Sequence, residues 1–243
     1  MAGRLPAGTT GLGSLSTPLR SLMKVPVRRL RRQVETQLVE HLGSIGISAE
    51  RLEGRDIKLR RREARDSVLT MRLLAHARVS LGALQSVEVW RVATRARNED
   101  AVLDKITYLA SLEEGLSLTR IPLLTNVVMK EGRGGTPAFR WCGFEWGKLP
   151  LLAERLAKDT DLNRRLIRHF TTDTPPDLRI TACPEDRVGF TTTYDPQRLP
   201  SREFLACLDR IIVHVNEYVA EQGRYRDAFV SRWQQRLMER RRQ

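Results

Sequence analysis

From Ser201 to Gly223 the chain places Phe204, Leu208, Ile211, Val215 and Val219 at helical spacing. A stripe this regular predicts a helix with one face that must be covered. Ser201 supplies a capping hydroxyl at its start, and Gly223 can end it. An apolar layer elsewhere in the chain therefore has to receive this helix.

Segments with two-residue alternation are the candidates for that layer. Ile57 and Leu59 alternate with Lys58, Arg60 and Arg62, which puts the three cations on one strand face. A turn at Asp66 and Ser67 leads into a strand over Val68–Leu73, and another strand starts at Ser86. Asn98 reads as the cap of a helix over Glu99–Glu114, with Leu103, Ile106, Leu109 and Ala110 inward and Gly115 at its end. The segments RIPLLTNVVMK and AFRWCGFEW flank EGRGGTP, the pattern of a hairpin with a glycine-rich loop. Two short helices follow, LPLLAERLAKD and TDLNRRLIRHF. Then come DLRITA, a turn at CPEDR, and VGFTTTY. The order predicts an α+β fold: a mostly antiparallel sheet built from three strand-strand-helix rounds, helices on one side, amphipathic helices at both ends.

The ends differ from the middle in charge. The net charge is +13, yet residues 35–223 carry 28 basic and 27 acidic residues. Residues 1–34 hold seven basic and no acidic residues, and residues 224–243 hold seven Arg against Asp227 and Glu239. This divides the chain into a basic tail over 1–23, an amphipathic basic helix over 24–46, a nearly neutral body over 47–223, and an Arg-rich helix over 224–243. The body reads as one unit or as two subdomains divided near 116–120. In the first helix Val27, Leu30, Val34, Leu38 and Leu42 share one face, and Gly43 marks its end. Arg28, Arg29 and Arg32 face away, with Arg31 at the seam and Lys24 before them. In the last helix Tyr225, Phe229, Trp233 and Leu237 form an apolar stripe at four-residue spacing, surrounded by Arg226, Arg232, Arg236 and Arg240, with Arg240, Arg241 and Arg242 as a wet end.

Arginine clusters of this kind neutralise phosphates, lie on anionic membranes, form transit peptides, or are simply the wet face of a helix. Arg outnumbers Lys 36 to 6, which suits phosphate recognition and a general bias toward Arg equally. An aromatic stripe needs a cover, whether the body, a second copy or another protein. No apolar run is long enough to span a bilayer. Cys142, Cys183 and Cys207 show no CxxC or Cys/His spacing, so neither metal nor cofactor is expected and a reducing compartment is favoured. That places the protein in the cytoplasm, or in an organelle matrix if residues 1–34 act as a transit peptide.

Catalytic patterns are missing: the sequence holds no GxSxG, HExxH or Walker spacing. Arg140, Gly143 and Phe144 match three positions of an RNA-binding strand pattern, but Trp141, Cys142 and Glu145 break it, so RWCGFEW reads as a core or hairpin strand. His41, His76, His169 and His214 are scattered, and His214 borders the buried stripe of the helix after Pro200. The expected function is non-catalytic binding: Arg-rich segments contact RNA, DNA or another polyanion, and the body docks a protein partner. Lys24, Arg28, Arg29, Arg31, Arg32, Lys58, Arg60, Arg62, Arg236, Arg240, Arg241 and Arg242 are the expected polyanion contacts. Tyr225, Phe229, Trp233 and Leu237 are the expected partner or self-association contacts. The alternatives are an assembly subunit whose end helices wrap neighbours, and a peripheral membrane-surface protein.

Overall fold

The computed structural model describes residues 27–52, 58–64, 67–95, 100–118, 127–131, 139–142, 152–170 and 178–242, with side chains within 28–52, 70–93, 102–118, 141, 152–170 and 178–224. The expected tail over 1–23, the loop of EGRGGTP and most of RWCGFEW lie outside the described residues.

The fold is α+β with an antiparallel sheet. Helix α1 spans Val27–Ser44. Short strand β1 (Ala49–Arg51) and strand β2 (Lys58–Ala64) both pair with the long β3 (Ser67–Leu81). Next come β4 (Leu84–Arg95), β5 (Asp100–Ser111), β6 (Val127–Glu131) and β7 (Phe139–Cys142). Helices α2 (Leu152–Lys158) and α3 (Thr160–His169) precede β8 (Leu178–Cys183) and β9 (Arg187–Thr193), and α4 (Arg202–Arg242) closes the chain. The described strands form one sheet in the order β1-β3-β4-β5-β9-β8-β6-β7, with β2 beside β3. The pairing of β5 with β9 carries this sheet across the position of the expected subdomain boundary.

One apolar cluster joins sheet and helices. Ala77, Val87, Tyr108, Phe190 and Ile180 lie side by side on successive strands. All are buried against Leu38 and Leu42 of α1 and Phe204, Leu208, Ile211 and Val215 of α4. Helices α2 and α3 pack on α4. The α4 start has the expected cap, with Ser201 Oγ accepting from the Phe204 N–H at 3.1 Å.

Three local expectations are corrected. Residues 99–114 are not a helix: Asp100–Ser111 is the central strand β5, held on both sides by ladders to β4 and β9. Ile106, Tyr108 and Ala110 alternate toward the helices, while Leu109 is also buried and Leu103 is half exposed. Leu109, buried on the face opposite Tyr108, joins Leu103, Ile106 and Ala110 in a spacing that a helix would also give. The first of the three rounds therefore contains strands only.

Gly43 does not end α1. The chain turns at Gly46 (φ +76°), with Gly46 N–H donating to Gly43 O (3.0 Å) and Ile47 N–H to Leu42 O (2.9 Å). This pairing closes a helix on a left-handed glycine. Gly223 does not end α4 either, because the helix runs unbroken for 41 residues, about 60 Å.

Glycine is required at the β3–β4 turn. Gly82 has φ +52°, and an added Cβ there would run into the Asp209 carboxylate. That carboxylate accepts from the Ala83 N–H at 2.8 Å, tying α4 to the tip of the hairpin.

Candidate functional site

The α1 arginines divide into two groups. Val34, Leu38 and Leu42 bury one face of the helix against β3 and β1. Gln37 Nε2 donates to Pro196 O (2.8 Å) and His41 Nε2 meets Pro200 O (2.8 Å), so α1 is also fastened to the loop before α4. Arg31 lies at the seam, and its Nε donates to Glu35 at 3.1 Å. Glu35 is 2% exposed and receives a second arginine, Arg51 Nη2, at 2.5 Å. Two cations around one buried carboxylate hold α1 to β1, so Arg31 serves docking. Arg28, Arg29 and Arg32 are exposed, and no described carboxylate pairs with them. Lys24 lies outside the described residues.

Strand register places the β2 cations. Lys58 stands opposite Arg72, Arg72 opposite Arg91, and Arg91 opposite Asp104. In the same way Arg62 leads through Val68 and Arg95 to Asp100. Laterally paired residues share a sheet face. Arg91 lies two and four residues from Val89 and Val87, which face the helices. Lys58, Arg60, Arg62, Arg72, Arg91 and Arg95 thus occupy positions on the helix-bearing side of the sheet, at the end beyond the apolar rows. Asp100 and Asp104 are the acidic residues in these rows. Arg91 grips Asp104 with two hydrogen bonds of 2.8 Å, and this bond holds its guanidinium pKa above the usual value against the opposing effect of burial.

The remaining expected contacts are on α4. Its backbone continues through Tyr225, Phe229, Trp233, Leu237, Arg236 and Arg240–Arg242; the side chains of these residues lie outside the described set.

The sequence gives no sign of a cavity between β5, the end of β9, α3 and the start of α4. The cavity's volume is about 60 Å³, and it is partly open to solvent. Ile106, Tyr108, Phe170, Leu199, Pro200 and Phe204 line it with apolar surface. Thr192, Tyr194 and His169 bring polar groups to the wall, and Asp195 and Arg198 line it as well. His169 stacks on Phe204 with centroids 4.0 Å apart and planes 18° apart. Burial lowers its pKa to about 4, so the imidazole is neutral at pH 7. Tyr194 is 7% exposed, and its hydroxyl has no hydrogen-bond partner among the described residues. Burial, followed by the nearby Asp104 and Asp195 charges, raises its pKa to about 12. Burial likewise pushes the Tyr108 phenol far up. These residues are spread from 106 to 204, and their types are ordinary core types, so only the fold assembles them.

A second polar cluster ties α3 to α4. Asp159 caps α3 by accepting from the Leu162 N–H (3.0 Å). It also takes Arg210 through Nε (2.6 Å) and Nη2 (2.8 Å), and His214 Nε2 at 2.8 Å. Burial alone would raise its pKa; the hydrogen bonds from His214, the Leu162 amide and Arg210 outweigh that and lower it to about 2. Every part of this constellation is used in joining two helices. His214 is thereby a hydrogen-bonded residue at the edge of the core. Among the described residues no group of His, Cys, Asp and Glu is arranged to hold a metal ion. No described helix is long and apolar enough to cross a membrane.

No protein family, curated protein or solved structure matches this chain.

Proposed function

We propose that this is a non-catalytic binding protein that takes nucleic-acid phosphates on its arginine-rich segments, while the body docks a protein partner. The observation that carries the reading is a shared side. Helix α1, with Arg28, Arg29 and Arg32 outward, packs on β3 on the helix-bearing face. Lys58, Arg60 and Arg62 hold register positions on that same face of the adjoining strand. This shared side supports reading the two clusters, remote in sequence, as parts of one cationic region, the arrangement a phosphate backbone requires. Arg31 is left out of the contact set, because Glu35 already holds it.

Fluorescence anisotropy with a labelled 30-nucleotide RNA, and with DNA of the same sequence, tests this between 50 and 200 mM salt. Reversing Arg28, Arg29 and Arg32 to Glu removes up to three phosphate contacts. The slope of log K against log salt then falls by about 2 for a single strand. An unchanged slope and affinity in that triple variant would sink the proposal.

A second reading, an assembly subunit, is favoured by the continuity of α4. The unbroken helix places Tyr225, Phe229, Trp233 and Leu237 at successive four-residue steps, past Gln222, the last described buried residue. Light scattering distinguishes the two. A stable oligomer that Trp233→Ala and Phe229→Ala dissociate, with no affinity for RNA or DNA, selects assembly.

A further inference from the structure

We infer that Arg51 is a phosphate-binding residue held in place by Glu35, and that with Arg28 and Arg32 it forms a nucleic-acid contact along the α1–β1 edge. This rests on the phosphate reading above and adds to it a residue outside the arginine clusters of the sequence. Glu35 is 2% exposed, and a carboxylate buried that far needs a counter-charge. One arginine is enough, and Arg31, one turn earlier on α1 and 20% exposed, donates Nε to its Oε1 at 3.1 Å. The fold supplies a second. Arg51 reaches the other oxygen from β1 at 2.5 Å, yet its side chain stays 52% exposed. A guanidinium carries five N–H donors in a rigid plane. Arg51 is thus held at one end while its wet side keeps donors for an anion. Its rotamer freedom is already spent on Glu35, so a phosphate that meets it avoids most of that cost. Arginine also matches phosphate through two parallel hydrogen bonds.

Helical spacing adds the neighbours. Arg28, Arg31, Arg32 and Glu35 stand at i, i+3, i+4 and i+7, one flank of α1. The contact between Glu35 and Arg51 makes this the flank that faces β1. Arg28 and Arg32 are exposed there. Among the described residues, four guanidiniums therefore share one carboxylate and leave an excess of positive charge. Both β1 and β2 pair with β3, and Arg51, opposite the core residue Ala77, lies on the helix-bearing side, as do the positions of Lys58, Arg60 and Arg62. The reverse side of β1 is built differently. There the exposed Glu50 faces the exposed Arg78 at 3.7 Å, one charge of each sign. An anion gains from the first side and little from the second.

The test is fluorescence anisotropy of the full chain with the labelled RNA, comparing Arg51→Gln with Arg78→Gln. Each removes one positive charge, from neighbouring places on opposite sides of the sheet, so an effect of net charge alone would weaken both alike. Arg31 still neutralises Glu35 in Arg51→Gln, and thermal melting checks that each variant is folded. Arg51→Gln weakens binding about 5–10-fold at low salt and lowers the slope of log K against log salt by about 0.7, one phosphate contact on a single strand. Arg78→Gln changes the affinity by less than about 2-fold. If Arg51→Gln fails to fold, Arg51→Lys replaces it: the charge beside Glu35 is kept, the fork is lost, and binding weakens about 3-fold at the parental slope. Equal effects of Arg51→Gln and Arg78→Gln overturn the inference, as does an Arg51→Lys variant that binds like the parent. RNA binding that is lost on reversing Arg28, Arg29 and Arg32 but untouched at Arg51 overturns this inference alone. A parent chain that binds neither RNA nor DNA overturns the phosphate reading and this inference with it.

Discussion

The row Ala77–Val87–Tyr108–Phe190–Ile180 and the row Lys58–Arg72–Arg91–Asp104 lie on the same side of the same sheet. Strands β3, β4 and β5 contribute to both. The first row is buried beneath α1 and α4 and is apolar throughout. The second has three cations and one anion, and the anion is satisfied by its neighbour Arg91. Strand parity sets which side a residue faces, but the footprint of the helices decides whether that side is core or surface. In β4 and β5 one alternation joins the charged row to the apolar row, whereas in β3 Arg72 and Ala77 are five residues apart and reach the same side through the register shift between Leu73 and Ala75.

Four measurements can break or sharpen this contrast. The largest effect is expected under α1: Leu38→Ala removes a side chain with no exposure and costs about 3 kcal/mol in urea unfolding. Arg28→Ala, on the outward face of the same helix, stays within about 0.5 kcal/mol. Equal costs at the two positions would erase the distinction between the faces.

Gly82→Ala strikes the tip of the β3–β4 hairpin at the core end. The left-handed backbone and the Asp209 carboxylate together make it cost about 2 kcal/mol, measured by thermal melting.

A smaller effect comes from His169, whose folded pKa of about 4 lies below the ordinary histidine value of 6.5. The unfolded chain then binds the extra proton first, so stability is fully present above pH 6.5 and declines as pH falls toward 4. The loss amounts to about 1–2 kcal/mol once partial solvent screening is allowed for. His169→Phe keeps the ring on Phe204 and flattens the profile in that window; a profile unchanged by this substitution would contradict a buried, neutral imidazole.

The smallest effect is a gain. Gly223 sits inside α4 with nothing within 4 Å of an added Cβ. Gly223→Ala raises stability by about 0.5–1 kcal/mol through helix propensity alone. A loss instead would mean the helix bends or opens there.

Much of this was legible in advance, for reasons that are local. The Phe204–Val219 stripe and its Ser201 cap require only helical periodicity and one hydroxyl. The shared face of Lys58, Arg60 and Arg62 requires only the two-residue repeat of a strand. Residues 100–111 were misread because Leu109, buried although it points away from Tyr108, joins Leu103, Ile106 and Ala110 in a spacing that a helix would also give. Gly43 and Gly223 were misread as stops because glycine permits a helix end without requiring one. Helix α1 ends where the Leu42 and Gly43 carbonyls find donors around Gly46.

The cavity was invisible in the sequence, since Ile106, His169, Tyr194 and Phe204 have no spacing that links them. The matching of Arg31 but not of Arg28 was equally hidden, because it depends on where Arg51 arrives beside Glu35.

By itself, then, the sequence determined the amphipathic faces, the class of fold and the concentration of cations in the terminal segments. Periodicity and charge act over a few residues and need no partner to be read. Tertiary structure alone decided the strand register, the pairing of Glu35 with two arginines, and the meeting of Ile106, His169, Tyr194 and Phe204 around one cavity. Each of these depends on contacts between residues far apart in the chain, whose geometry exists only once the sheet has formed and the helices have docked on it.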